Sequence, residues 1–240
     1  MLARVKEAVL PWLIAKLYWP RETMTKKEED VQKQYLDQLK FKARTTGKPI
    51  IVAMVGLVGS GKSAVAKQVA EHLRATVISG DKIRVMLRAQ GEQFEKARKI
   101  AENATIEIIK KHGGNIVLDS DFIDDAKRAS IRAVAKELGT KLVFIRTYCD
   151  HDIAMGRIIA GESDDFFSNA SSQWTGEDKG QVVKLREFHR RTLLHYKWSK
   201  TGGGKWTLRH LPFKIGTTID TGKEGWSEAL KNDLDLEEIF

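Results

Sequence analysis

Residues 49–63 read "PIIVAMVGLVGSGKS". The first half is a short, β-branched apolar run between Pro49 and Gly56, which predicts a strand buried on both faces. The second half places glycine at 56, 59 and 61, and "KSAVAKQVAEHLR" follows with Val65, Val69 and Leu73 at helical spacing. The same alternation continues outward. "ATVISGD" (75–81) predicts a second strand and "KIRVML" the start of a helix. "EQFEKARKIAENATIEIIKKHGG" carries Phe94, Ala97, Ala101, Ala104 and Ile108 on one stripe and stops at lysines and glycines. "NIVLDSD" (115–121) predicts a third strand; Asp124 and Asp125 then open a helix with Ile131, Val134, Ala135 and Leu138, closed by Gly139. "KLVFIRTY" (141–148) predicts a fourth strand and "TTIDT" (217–221) a fifth. Strands alternating with helices specify an α/β chain with a mainly parallel five-stranded sheet covered on both faces, a three-layer sandwich.

"GLVGSGKS" (56–63) fits G-x-x-x-x-G-K-[ST] and lies between a predicted strand and a predicted helix, the context the motif requires. Gly56, Gly59 and Gly61 let backbone N–H groups of the loop, Ser60 included, turn inward around a triphosphate at the positive end of the next helix. Lys62 is placed to reach the β- and γ-phosphates, and Ser63 to ligate Mg²⁺, so ATP and Mg²⁺ are the expected ligands. Asp119, at the carboxyl end of the third strand, is the expected second metal residue, with Asp121 a further candidate. "TGGGK" (201–205) lacks the spacing and the helix and reads as a loop.

Asp81 lies just beyond the second strand, at the sheet edge that carries the glycine loop, and Arg84 lies one helical turn later. The carboxylate can accept the proton of an attacking hydroxyl. The guanidinium can hold an anionic group of the acceptor. The alternative is a helix cap beside a surface arginine.

"GLVGSGKS", "ISGDKIR", "IVLDSD" followed by Arg128, and "DIAMGRI" occur in an order that resembles the small P-loop kinases of the polynucleotide-kinase-like group, over about residues 49–160 and "TTIDT". The resemblance implies a P-loop NTPase fold, Asp81 as general base, Arg84 and Arg128 as acceptor-binding residues, and Arg157 as a lid arginine that clamps the transferring phosphate. The group's D-x-T-N stretch is absent: "DSDF" keeps Asp119 without the Thr-Asn pair, which weakens a polynucleotide acceptor. "GDKIR" also resembles adenylylsulfate kinases, which lack an acidic residue like Asp119. The lid is expected around residues 157–190, and "VVKLREFHRRTLLHYKW" (182–198) predicts a helix carrying Arg186, Arg190 and Arg191, further arginines that spacing alone does not separate.

Residues 1–48 read as an N-terminal helical extension of a kinase-like domain at 49–240. "MLARVKEAVLPWLIAKLYWPRE" starts like a weak signal peptide, but Lys16 interrupts the apolar middle and no small-residue cleavage site follows. It predicts an amphipathic helix, restarted at Pro11, whose Trp12, Leu13, Leu17, Tyr18 and Trp19 dock on the domain or give peripheral membrane contact through residues 1–20. A second helix follows with Val31, Tyr35, Leu36 and Leu39 on one face, ended by "TTGKP". The chain has 240 residues, and its single cysteine, Cys149, excludes an intrachain disulfide framework and fits a reducing, cytoplasmic compartment. No run reaches the roughly 18 apolar residues of a spanning helix. A net charge of +9 suits a nucleotide, a nucleic acid or an acidic lipid surface, or merely a solvated basic face. The function expected is transfer of the γ-phosphoryl group of ATP to a hydroxyl of a small-molecule or polynucleotide acceptor. The alternatives are an NTP-hydrolysing switch, whose water-positioning residue and switch loops have no clear signature here, and a scaffold that has lost catalysis, against which the intact Lys62 and Ser63 argue.

Overall fold

The computed structural model describes residues 23–44, 46–92, 94, 96–160 and 179–235. Residues 1–22, with the expected Trp-rich helix, and 161–178, the middle of the expected lid, lie outside the described residues. The central strand is β1 (Ile50–Val55), whose residues are all buried. It pairs in parallel with β3 (Ile116–Asp119) and β4 (Lys141–Tyr148). β2 (Thr76–Ser79) and β7 (Thr217–Asp220) complete a five-stranded parallel sheet of order β2-β3-β1-β4-β7. The loop after β1 therefore leaves the middle of the sheet at its carboxyl edge, where open α/β sheets bind ligands.

The uninterrupted apolar run of β1 follows from its two covered faces. Ile51, Ala53 and Val55 enter one core with α1 (Lys26–Asp37), α3 (Gly80–Ala89), α4 (Lys96–Glu107) and α5 (Asp125–Glu137). Ile50, Val52 and Met54 enter the other, with Val65 and Val69 of α2 (Lys62–His72) and Leu230 of α8 (Trp226–Asp235). The period of two along the strand divides these residues between the layers. α4 ends in a π-helical turn, Ile108–His112, closed by Gly113 at φ 58°. Phe94 stands before this helix rather than on its buried stripe, 43% exposed, with the Arg88 guanidinium over its ring.

α1 is built into the first core. Thr25 and Glu28 form a reciprocal cap at its start, Val31 and Tyr35 are buried, and Leu36 and Leu39 pack against the same cluster. The Tyr35 hydroxyl accepts from the Ser79 N–H at 2.8 Å, which ties the helix to the end of β2.

α6 (His151–Ala160) follows β4, and α7 (Lys179–His195) precedes a hairpin of β5 (Tyr196–Ser199) and β6 (Lys205–Leu208). The sequence reading carries the α7 helix on to Trp198; the structure ends it at His195. The reason is tertiary. The His195 carbonyl accepts from the Arg209 N–H and from Arg146 Nη2, and Trp198 faces Trp206 across the hairpin. "TGGGK" forms the hairpin's connection, with a short 3₁₀ turn at Thr201–Gly203. Among the described residues no helix is long and apolar enough to cross a membrane.

Candidate active site

The glycine loop connects β1 to α2. Gly59 and Gly61 take φ of 81° and 78°, the left-handed region that side chains disfavour. Close approach is a second constraint: a Cβ on Gly56 would stand 2.2 Å from Thr147 Oγ1, and one on Gly59 2.4 Å from the Ala154 carbonyl. Ser60 holds the loop from behind. Its N–H bonds the Leu57 carbonyl and its buried hydroxyl pairs with Thr147 Oγ1 at 2.8 Å, so its side chain serves the loop rather than a ligand. The Cys149 thiol lies 3.8 Å from the Gly59 carbonyl. Lys62 opens α2, and its Nζ donates to the Leu57 carbonyl at 3.2 Å, bridging the loop. The result is a glycine cradle at a helix N-terminus, with an ammonium across it, which fits a phosphate chain.

Beneath this cradle the Ser63 hydroxyl lies beside the Asp119 carboxylate and favours its ionised form. Burial pushes the Asp119 carboxyl above its ordinary range; the Ser63 bond and the Lys62 charge oppose this, and the Asp81 charge adds to it. Lys62, Ser63, Asp81 and Asp119 therefore share one electrostatic neighbourhood. A buried carboxylate beside a hydroxyl is a set of hard oxygen donors suited to Mg²⁺. Among the described residues no group of three or more His, Cys, Asp or Glu makes a metal cage by itself. Mg²⁺ characteristically takes one or two carboxylates together with substrate phosphates, which agrees with so sparse a set.

Asp121 serves a different purpose from the metal role considered for it. Its Oδ1 accepts from the Gly56 and Ile123 N–H groups, and its Oδ2 from Arg191 Nε and Nη2 at 3.0 and 2.8 Å and from His195 Nε2 at 3.1 Å. Burial acts to raise its carboxyl, but His195, Lys62 and Arg191 hold it well below the usual carboxylate range. Asp121 thus couples the first residue of the glycine loop to α7. Of the three arginines that spacing left undivided, Arg191 is the one directed to this hub; Arg190 pairs with Glu187, and Arg186 is exposed.

Asp81 and Arg84 stand at the β2 side of the same edge. Arg84 Nη1 lies 2.6 Å from Asp81 Oδ1. The Ser79 hydroxyl caps α3 by accepting from the Lys82 N–H, so Asp81 is not the helix cap.

Two further expected site arginines are engaged within the protein. Arg128 is buried beneath the loop after β3. It donates to the Phe122 and Ile123 carbonyls, pairs with Asp125, and lies 3.8 Å from the centre of the Phe213 ring. Its guanidinium is spent on holding this loop. Arg157, on α6, donates to the Gly59 carbonyl at 3.3 Å and to the Thr221 hydroxyl and carbonyl at 2.9 and 2.7 Å. Thr221 follows β7, at the opposite end of the sheet from β2, so Arg157 stands on the far side of the loop from Asp81 and Arg84. The neighbour of Arg128, Lys127, was not singled out in the sequence. It lies beside Arg84 and Asp121 and donates to Ser120 Oγ and the Asp121 carbonyl at 3.0 and 2.8 Å.

The family model described as "AAA domain" matches residues 51–173, the stretch that holds the glycine loop, Asp81 and Asp119. No curated protein matches the chain. Among solved structures, a candidate kinase of Chloroflexus aurantiacus is similar at 16% identity and TM-score 0.51, covering 77% of this chain and 96% of its own. The APS kinase of Mycobacterium tuberculosis, solved with AMPPNP and APS, is similar at 19% identity and TM-score 0.50, covering 80% of this chain and 99% of its own. At these identities the likeness is one of fold.

Proposed function

This chain belongs to the AAA domain family, and from the geometry of its site we propose that it is an ATP-dependent kinase that phosphorylates a hydroxyl acceptor. The observation that carries the reading is the position of Asp81. It shares an electrostatic neighbourhood with Asp119 and Lys62, yet stands at the β2 side of the loop beside Arg84, where an acceptor hydroxyl could meet it. A switch or hydrolase has no need of a carboxylate and guanidinium pair there.

Gly56, Gly59, Gly61 and the N-terminus of α2 cradle the phosphates, and Lys62 neutralises charge as the β–γ bridge breaks. Ser63 and Asp119 would hold Mg²⁺, which would neutralise charge on the phosphate oxygens. Asp81 accepts the acceptor's proton as its oxygen forms the new bond to phosphorus, and ADP departs. Arg84 binds the acceptor. Arg157 reaches the loop from the β7 side, so a part in clamping the transferring phosphate requires it to leave Thr221 when the lid region around 157–190 closes. A polynucleotide acceptor remains the finer alternative to a small molecule.

The test is nucleotide binding by thermal shift. ATP with Mg²⁺ at a hundredfold excess over Kd is expected to stabilise the protein by about 2.7 kcal/mol. Lys62→Ala is expected to give a much smaller shift. Equal shifts for the two proteins would overturn the phosphate-loop assignment.

A further inference from the structure

Between Glu187 and Asp220 the chain has no acidic residue but seven lysines and arginines. This stretch holds the end of α7 and the β5–β6 hairpin. Elsewhere exposed lysines meet carboxylates, as Lys110 meets Glu137 and Lys111 meets Glu107. Lys197, Lys200 and Lys205 are exposed, and among the described residues none of them takes part in an ion pair. Large apolar side chains stand open among these cations: Leu193 is 62% exposed, Trp198 52% and Leu194 41%. Arg209 Nη1 donates to the Leu193 carbonyl at 2.9 Å, which sets a further cation beside that leucine.

We propose that the end of α7 and strand β5 form a docking surface for a bilayer that carries anionic lipid. The inference is independent of the kinase reading.

The surface is built rather than loose. Arg146 of β4 grips both ends of the hairpin, with Nη1 on the Arg209 carbonyl at 2.7 Å and Nη2 on the His195 carbonyl at 3.0 Å, and the Tyr196 hydroxyl donates to the Cys149 carbonyl at 2.8 Å. The Trp198 ring is fixed by Trp206, which stands at 72° to it with ring centres 5.3 Å apart. A Cβ on Gly204 would come within 2.5 Å of the same ring. Alternation along β5 puts Lys197 and Trp198 on opposite faces of the two-stranded hairpin. Both reach a bilayer when the unpaired edge of β5 is laid along it, with Leu193 and Lys200 at the two ends of the contact. An indole sits at headgroup level, leucines enter the acyl boundary, and lysine stems lie along apolar surface with their ammonium groups at the phosphates. Single-stranded nucleic acid calls instead for several ring faces in a row along a basic groove. Here Trp206 is stacked on His151, Tyr196 is buried, and the residues beside Trp198 are leucines, which offer no ring to a base.

The test is co-sedimentation of the full chain with vesicles of phosphatidylcholine, alone or with a quarter of phosphatidylserine. Binding is expected with phosphatidylserine present and is expected to weaken as salt rises. Each lysine near an anionic surface is worth about fivefold, so Lys197→Gln/Lys200→Gln is expected to bind about thirtyfold more weakly. Trp198→Ala is expected to weaken binding at high salt as well, where the lysines are screened. Unchanged melting temperatures show that these exposed substitutions leave the fold intact. Binding no tighter with phosphatidylserine than without it overturns the inference. Wild-type affinity in the double lysine variant overturns it too, since the contact then lies elsewhere in the chain, residues 1–20 included. Wild-type affinity in Trp198→Ala has the same force, because charge alone would then account for binding. Transfer of the protein from vesicles to an equal phosphate concentration of single-stranded oligonucleotide marks a nucleic-acid surface instead and also overturns the inference.

Discussion

Asp81 accepts a 2.6 Å bond from Arg84, yet its side chain remains 55% exposed. That combination suits a base that must meet an incoming hydroxyl. Asp81→Asn keeps the shape but cannot take a proton, so kcat is expected to fall by about 10²–10⁴-fold while the ATP-induced thermal shift persists. Arg84→Ala is expected to act mainly on KM for the acceptor, the signature of the ground-state binding role proposed for it. Steady-state kinetics on both variants separates the roles, and full activity in Asp81→Asn would remove the base assignment. Lys62, Ser63, Asp81 and Asp119 are legible from the sequence because each is fixed by a strand end or a short local motif. Arg128 shows where local pattern fails. One position along a helix turns a side chain by about 100°, so Arg128 lies under the loop with Phe213 while Lys127 reaches Ser120 and the Asp121 carbonyl. Nothing in "AKR" distinguishes the two without the packing around them.

At the scale of elements, α7 is fastened to the glycine loop through one carboxylate. Asp121 joins Arg191 and His195 to the Gly56 N–H. The partners are about 70 residues apart in the chain, with 70 separating Arg191 from Asp121, so the sequence carries no trace of the pairing. Asp121→Asn leaves the largely buried Arg191 guanidinium with only the half-exposed Asp124 as counter-charge, a loss that stays within the about 3–5 kcal/mol typical of breaking a buried pair. The effect depends on pH. The folded carboxyl lies below its unfolded value of about 3.9, so its contribution is fully present above about pH 5 and is lost as pH falls toward the folded value. Urea midpoints of wild type and Asp121→Asn are therefore expected to differ widely at pH 7, to begin to approach each other below about pH 4, and to meet only as the pH nears the depressed folded value. A constant gap across that range would show that the ionised carboxylate is not what holds α7. The end of α7 was likewise illegible, because Tyr196 and Trp198 continue an acceptable helical pattern and only the hairpin partner Trp206 makes them strand.

For the whole molecule, the boundary drawn at residue 48 separates α1 from partners it cannot do without. The break at "TTGKP" is a real loop, but Tyr35 reaches Ser79, 44 residues away, and Val31 is fully buried in the main core. Deleting residues 1–48 exposes that core at about 1.5–3 kcal/mol for each large apolar side chain uncovered, so the melting temperature is expected to drop sharply. Deleting residues 1–20 alone is expected to spare nucleotide binding, and flotation with anionic liposomes then shows whether that segment is interfacial. Equal melting of the 1–48 deletion and the full chain would restore the extension as an independent appendage. The position of Cys149 has a practical consequence of another kind. The chain has one sulfhydryl, buried against the back of the glycine loop, and burial pushes its pKa up. Alkylating reagents can reach it only when the surrounding segment opens, so a single-site labelling rate becomes a stopwatch for that opening, and its slowing by nucleotide would time the motion of the loop without any introduced probe.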